Sequence, residues 1–150
     1  MDLSTGNWLA ALISTNADHL ARLAVMTARA QVPWYRSIDP DRLQVLFVRA
    51  YQALAQTFSS GELTPLRSYI DQVIPQRLRD GAPAEGLIQV ATLLEAGVQQ
   101  LIAQERATDP VRATAAERQL STVVKSMRLL ISGINLRLLN KLPDLPPPGS

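Results

Sequence analysis

The sequence predicts an all-α domain of about five helices, the last of them long, and three observations carry that prediction. Apolar residues recur at spacings of three and four through separate stretches of the chain. No stretch alternates convincingly with period two, so no strand is expected. The breaks between stretches carry Pro, Gly, Asp and Ser, which start and stop helices. The helical domain is expected over 1–142, with a proline-rich tail or linker at 143–150.

The first helical segment is predicted from about Asn7 to Gln31. Trp8, Leu9, Leu12 and Ile13 open its apolar face, and Leu20, Leu23, Ala24 and Thr27 continue it. Ser14, Thr15 and Asn16 interrupt the face, where a cap or bend would split the helix. Val32-Pro33 ends it, because proline disfavours helical geometry in the residue before it. Trp34 and Tyr35 follow in a short connector and read as a plug over the core rather than a ligand clamp.

Asp39-Pro40 starts the second helix, with Asp39 as the capping residue and Pro40 at the first position. Leu43, Leu46, Phe47, Ala50, Tyr51, Leu54 and Phe58 give its face, and Gly61 closes it in the left-handed conformation. Thr64-Pro65 repeats the start chemistry for a third helix faced by Leu66, Tyr69, Ile70, Val73, Ile74 and Leu78. Pro75 inside that pattern removes the bond to the Asp71 carbonyl, so a kink or break is expected. Gly81 ends it.

The fourth helix, 83–106, is expected to be the central one. Pro83 takes its first position and Glu85 its first turn. Leu87, Ala91, Leu94, Val98, Leu101 and Ile102 form one stripe, and Val90, Leu93 and Gly97 a narrower second one, so neighbours are expected on two sides. Thr108-Asp109-Pro110 starts the last helix, with a Thr114/Glu117 capping box as the alternative start. Leu120, Val123, Val124, Met127, Leu130, Ile131, Ile134 and Leu138 make its main face, and Pro143 stops it.

Composition sets further bounds. At 150 residues with 47% apolar and 19% charged residues, the chain can bury a core without disulfides or metals. The absence of cysteine excludes disulfides, thiol catalysis and Cys-ligated metal or iron–sulfur sites. No continuous apolar run reaches the ~18 residues of a membrane span, and the amino terminus lacks the basic start of a secretory signal. A cytoplasmic protein with no membrane partner is expected. The formal charge is +2, but Arg106 to Lys141 holds seven basic residues against Asp109 and Glu117, a net of +5. That excess suits water, an acidic partner or nucleic acid.

The chain resembles the amino-terminal sensor domain of RsbR-type stressosome co-antagonists, a non-haem, globin-like domain of stress-response signalling. The residues that carry the resemblance are Trp34, the helix holding Tyr51, and Leu66–Arg79 (LRSYIDQVIPQRLR) followed by DGAPAEGLIQVATLLEAGVQQLI. An arginine-rich helix end, Gly81, a short proline-containing turn and Glu85-Gly86-Leu87-Ile88 are the most telling part. The resemblance runs from Trp8 to Lys141 and implies a dimeric sensory module rather than an enzyme. Unequal helix lengths and Pro75 also favour a globin-like or orthogonal packing over an up-and-down bundle. Family members usually continue into a STAS domain that contacts signalling partners, and none follows Leu142 here. The proline-rich end reads as a natural terminus or as a linker, and partners of a STAS domain do not transfer.

Candidate chemistry is sparse. His19 is the sole histidine and sits in the first helix beside Asp18, so it suits a solvated surface better than a haem ligand. No metal site, cofactor or catalytic residue is expected, and no nucleophile elbow or phosphate loop is present. Glu95 is the one acidic outlier on an apolar face and reads as solvated rather than as a general base. Phe47, Tyr51 and Tyr69 form a candidate pocket with polar tips, although aromatics at helical spacing are more often core. Leu129 and Leu136 lie off the main face of the last helix with Ser132 and Gly133 between them. They form a candidate homodimer seam, the alternative being contact with the first helix of the same chain. The reading is therefore a non-enzymatic, homodimeric sensory or scaffold module with a signalling-protein partner. The alternative is a small basic nucleic-acid-associated regulator that uses Arg118, Lys125, Arg128, Arg137 and Lys141 of the final helix.

Overall fold

The amino-terminal helix is the hub of the molecule in the computed structural model, which describes residues 2–140. The elements are α1 (Leu3–Gln31), a 3₁₀ turn (Pro33–Ser37), α2 (Pro40–Ser60), α3 (Thr64–Arg79), α4 (Ala84–Glu105) and α5 (Pro110–Asn140). No strand occurs among the described residues, so the all-α expectation holds. The proline-rich segment 143–150 lies outside them.

α1 begins four residues before the sequence reading placed it. The Asp2 carboxylate accepts from the Ser4 N–H at 3.0 Å and from the Thr5 hydroxyl at 2.7 Å, capping the first turn. The polar run at Ser14–Asn16 does not split the helix. Ser14 and Thr15 point to solvent, and Asn16 Nδ2 returns its bond to the Leu12 carbonyl at 2.8 Å. Alanines at 10, 17, 21, 24 and 28 are buried along this helix, so neighbours approach its backbone closely. Leu23, expected on the core face, is exposed instead.

α1 packs most extensively on α2 and also meets the 3₁₀ turn, α4 and α5. α4 is therefore not the hub expected of it, although its two stripes do meet two neighbours, α5 and α1. Its Leu87, Ala91, Leu94, Val98, Leu101 and Ile102 are all buried. Each fully buried Leu, Ile, Val or Phe contributes roughly 1.5–3 kcal/mol of transfer free energy. α4 is also long and apolar enough, by length and composition, to cross a membrane, and half of its most apolar window is buried inside the fold.

The helix ends follow the local chemistry with three corrections. Asp39 caps α2 through the Arg42 N–H (3.2 Å), and Gly61 closes it at φ 74°. Thr64 does not cap α3; it lies within the helix, behind Leu63. The third-position N–H, that of Leu66, instead donates to the buried Thr57 hydroxyl of α2 at 3.0 Å. α3 does not break at Pro75 but runs through to Arg79. The carbonyl deprived of its donor belongs to exposed Asp71, while Ile70, Ile74 and half-buried Leu78 hold both halves of the helix on the core.

Gly81 (φ 97°) ends α3, with Ala82 N–H bonded to the Arg77 carbonyl and Gly81 N–H to that of Leu78. Pro83 stands just before α4 rather than inside it. At α5 the first of the two start signals prevails: Asp109 accepts from the Arg112 N–H at 3.0 Å. Thr114 donates to the Pro110 carbonyl, and Glu117 pairs with Arg106 instead of reaching back to a cap.

Candidate functional site

The aromatic trio of the sequence reading is core, not a pocket of its own. Phe47 and Tyr51 of α2 are fully buried, and Tyr69 of α3 is half-buried. The Tyr51 hydroxyl donates to the Leu94 carbonyl of α4 at 3.2 Å, and that of Tyr69 to the Leu46 carbonyl at 3.4 Å. Burial pushes both phenols above their ordinary ionisation range, and for Tyr69 the nearby Arg77 charge opposes that rise. Tyr51 borders a cavity of about 240 Å³ between α1 and α4, next to Leu20 and Gly97. Trp34 and Tyr35 form the expected plug. Tyr35 is fully buried and edge-on to Trp34 at 5.1 Å, while the Trp34 indole N–H donates to the Asp80 carbonyl at 3.4 Å.

Glu95 is not solvated, which corrects the sequence reading. It is only 9% exposed. Arg128 of α5 reaches over it, with Nη1 at 3.7 Å from its carboxylate and 3.1 Å from the Thr92 hydroxyl. The missing partner was on another helix, 33 positions away, and no local pattern reveals such a pairing. The pair is a clamp between α4 and α5. His19 is exposed on α1, as expected.

Three of the basic residues counted from Arg106 onward are tied to acids: Arg106 to Glu117, Arg112 to Asp109 at 3.9 Å, and Arg128 to Glu95. Arg118, Lys125 and Arg137 remain exposed on α5. Lys141 lies outside the described residues. Among the described residues no three His, Cys, Asp or Glu side chains are grouped to hold a metal ion.

Leu129 and Leu136 stand out from α5 with 65% and 60% of their surface exposed. Contact with α1 is therefore not what occupies them. Leu139 continues the same end of the helix at 53% exposure. Ser132 and Gly133 are half-buried, and a Cβ added at Gly133 would meet nothing within 4 Å. A shallow hollow of about 300 Å³ lies between this stretch and the start of α3, bordered by Leu63, Arg67, Leu130 and Arg137. The arrangement is an open apolar strip with room for a second backbone.

The structure adds a site that the sequence reading missed. Arg77 follows Ile70 and Ile74 on the inner face of α3 and is only 8% exposed. Its Nη1 donates to the Tyr35 hydroxyl at 3.4 Å, and its buried Nη2 has no hydrogen-bond partner among the described residues. No carboxylate among the described residues is within ion-pair distance of it. Arg77 lines a cavity of about 390 Å³ between the 3₁₀ turn, α2 and α3. The signal was available in the spacing, since position 77 is seven after Ile70 and three after Ile74.

Among the described residues, fold and sites together define an all-α domain with a buried guanidinium that makes no ion pair and an exposed leucine strip. Compared with protein-family models, with curated proteins and with solved structures, the chain has no match in any of the three.

Proposed function

We propose that this chain is a non-enzymatic sensory or scaffold module of the RsbR amino-terminal type, globin-like in its packing, that works as a homodimer. In this reading it is cytoplasmic, needs no haem or metal, and passes its signal to a protein partner. The observation that carries the reading is the strip of Leu129, Leu136 and Leu139 on the last turns of α5, three large apolar side chains more than half exposed. Apolar surface repeated along one helix beside an unobstructed glycine suits a self-complementary, twofold contact. The half-buried apolar window of α4 supports a role inside the fold rather than in a membrane.

Native mass spectrometry of the purified chain tests the proposal. A dimer at micromolar concentration is the expected result, and a monomer at the highest soluble concentration would end it. Retention on nucleic acid that falls steeply with salt would favour instead the reading based on exposed Arg118, Lys125 and Arg137.

A further inference from the structure

The Arg77 cavity has the chemistry of a receptor for one small, apolar acid. A guanidinium buried without an ion-pair partner carries a desolvation cost that only a carboxylate would largely offset. The Tyr35 hydroxyl at 3.4 Å and the nearby Tyr69 phenol offset part of that cost, but the buried Nη2 has no hydrogen-bond partner among the described residues. Trp34, Ile38, Leu46 and Val73 supply apolar wall to the same cavity, whose volume of about 390 Å³ is that of a small-ligand site. Asp80 and Arg42 border the same cavity with opposite charges, both exposed to water, so the buried Arg77 guanidinium is the charge that distinguishes the site.

We propose that the cavity between the 3₁₀ turn, α2 and α3 binds a monocarboxylic acid with an apolar body, its carboxylate paired with Arg77 and its body against Trp34 and Val73. Because Nη2 is itself covered, pairing with the acid requires the guanidinium to turn. The bond to Tyr35 that it loosens is already long. As the signal of the module this ligand rests on the sensory reading above, but its binding does not depend on dimerisation.

The test is a calorimetric titration of the full chain with 3-phenylpropionate and octanoate, each beside its uncharged amide. Both cavity and guanidinium are used if an acid binds about tenfold or more tightly than its amide, the scale of one charge-assisted bidentate contact. Arg77→Gln is expected to erase that preference. Val73→Trp, which fills the cavity from a half-buried wall and leaves Arg77 in place, is expected to weaken the acid about tenfold. Equal affinity for acid and amide would overturn the proposal, as would Arg77→Gln binding acid as well as the parent chain. Failure of both acids to bind at about 10 mM, far above a useful Kd for a site of this kind, would also overturn it. The acid–amide comparison needs no variant, so a variant that fails to fold does not block the decision. A dimer without acid binding removes only this inference, whereas acid binding by a monomer removes only the dimeric reading.

Discussion

Thr57 shows how much a single side chain settles. It is a fully buried polar residue on α2, and its hydroxyl takes the place of the cap that α3 lacks. Thr57→Val keeps the shape and strands the Leu66 N–H, so a loss of about 1–3 kcal/mol is expected from chemical denaturation. A loss no greater than that of Thr64→Val would show that the bond carries nothing. The buried phenols give a second test. Desolvation raises Tyr35, Tyr51 and Tyr69 above the ordinary value of 10.0 in the folded chain. Each proton is held more tightly folded than unfolded, so stability is whole below pH 10 and falls as pH rises beyond it. Unfolding midpoints measured from about pH 8 to 11 should be level at first and then decline. A midpoint that stays level to the end of that range would contradict the burial argument.

At the scale of elements, close approach decides more than propensity. α1 crosses the end of α2 at Gly6, where an added Cβ would stand 2.3 Å from the Phe58 carbonyl oxygen. That atom is backbone and cannot swing aside. Gly6→Ala, which should favour an isolated helix, is therefore expected to cost about 1–3 kcal/mol by overpacking. An unchanged or raised melting temperature would show that the crossing adjusts freely. Pro75 teaches the converse. A residue that breaks isolated helices sits within α3 because the packing of Ile70, Ile74 and half-buried Leu78 outweighs the lost bond. Ser14–Asn16 likewise stays helical within α1, whose buried alanines are held against its neighbours.

For the whole molecule the exposed leucines at the end of α5 are the place to test assembly. Leu129→Glu combined with Leu136→Glu changes two exposed positions, so circular dichroism should report unchanged helicity. If a second copy covers the strip, the same variant should run as a monomer in light scattering, because burying those carboxylates costs more than the seam returns. A double variant that remains dimeric would move the seam elsewhere.

Periodicity and helix-end chemistry determined the fold class, the number of helices, the Asp39 and Asp109 starts, and the Gly61 and Gly81 stops. These are local: a cap or a left-handed glycine acts within four or five residues of itself. The off-face position of Leu129 and Leu136 was legible for the same reason, since it follows from angle around one helix. Tertiary structure alone decided that α1 is the hub, that Glu95 is clamped by Arg128, and that Thr57 caps another helix. It alone also left Arg77 buried beside a cavity with no ion-pair partner among the described residues. Each of these depends on which helices come to lie side by side, and pairing between distant segments is set by the fit of whole faces, which no spacing within one segment encodes.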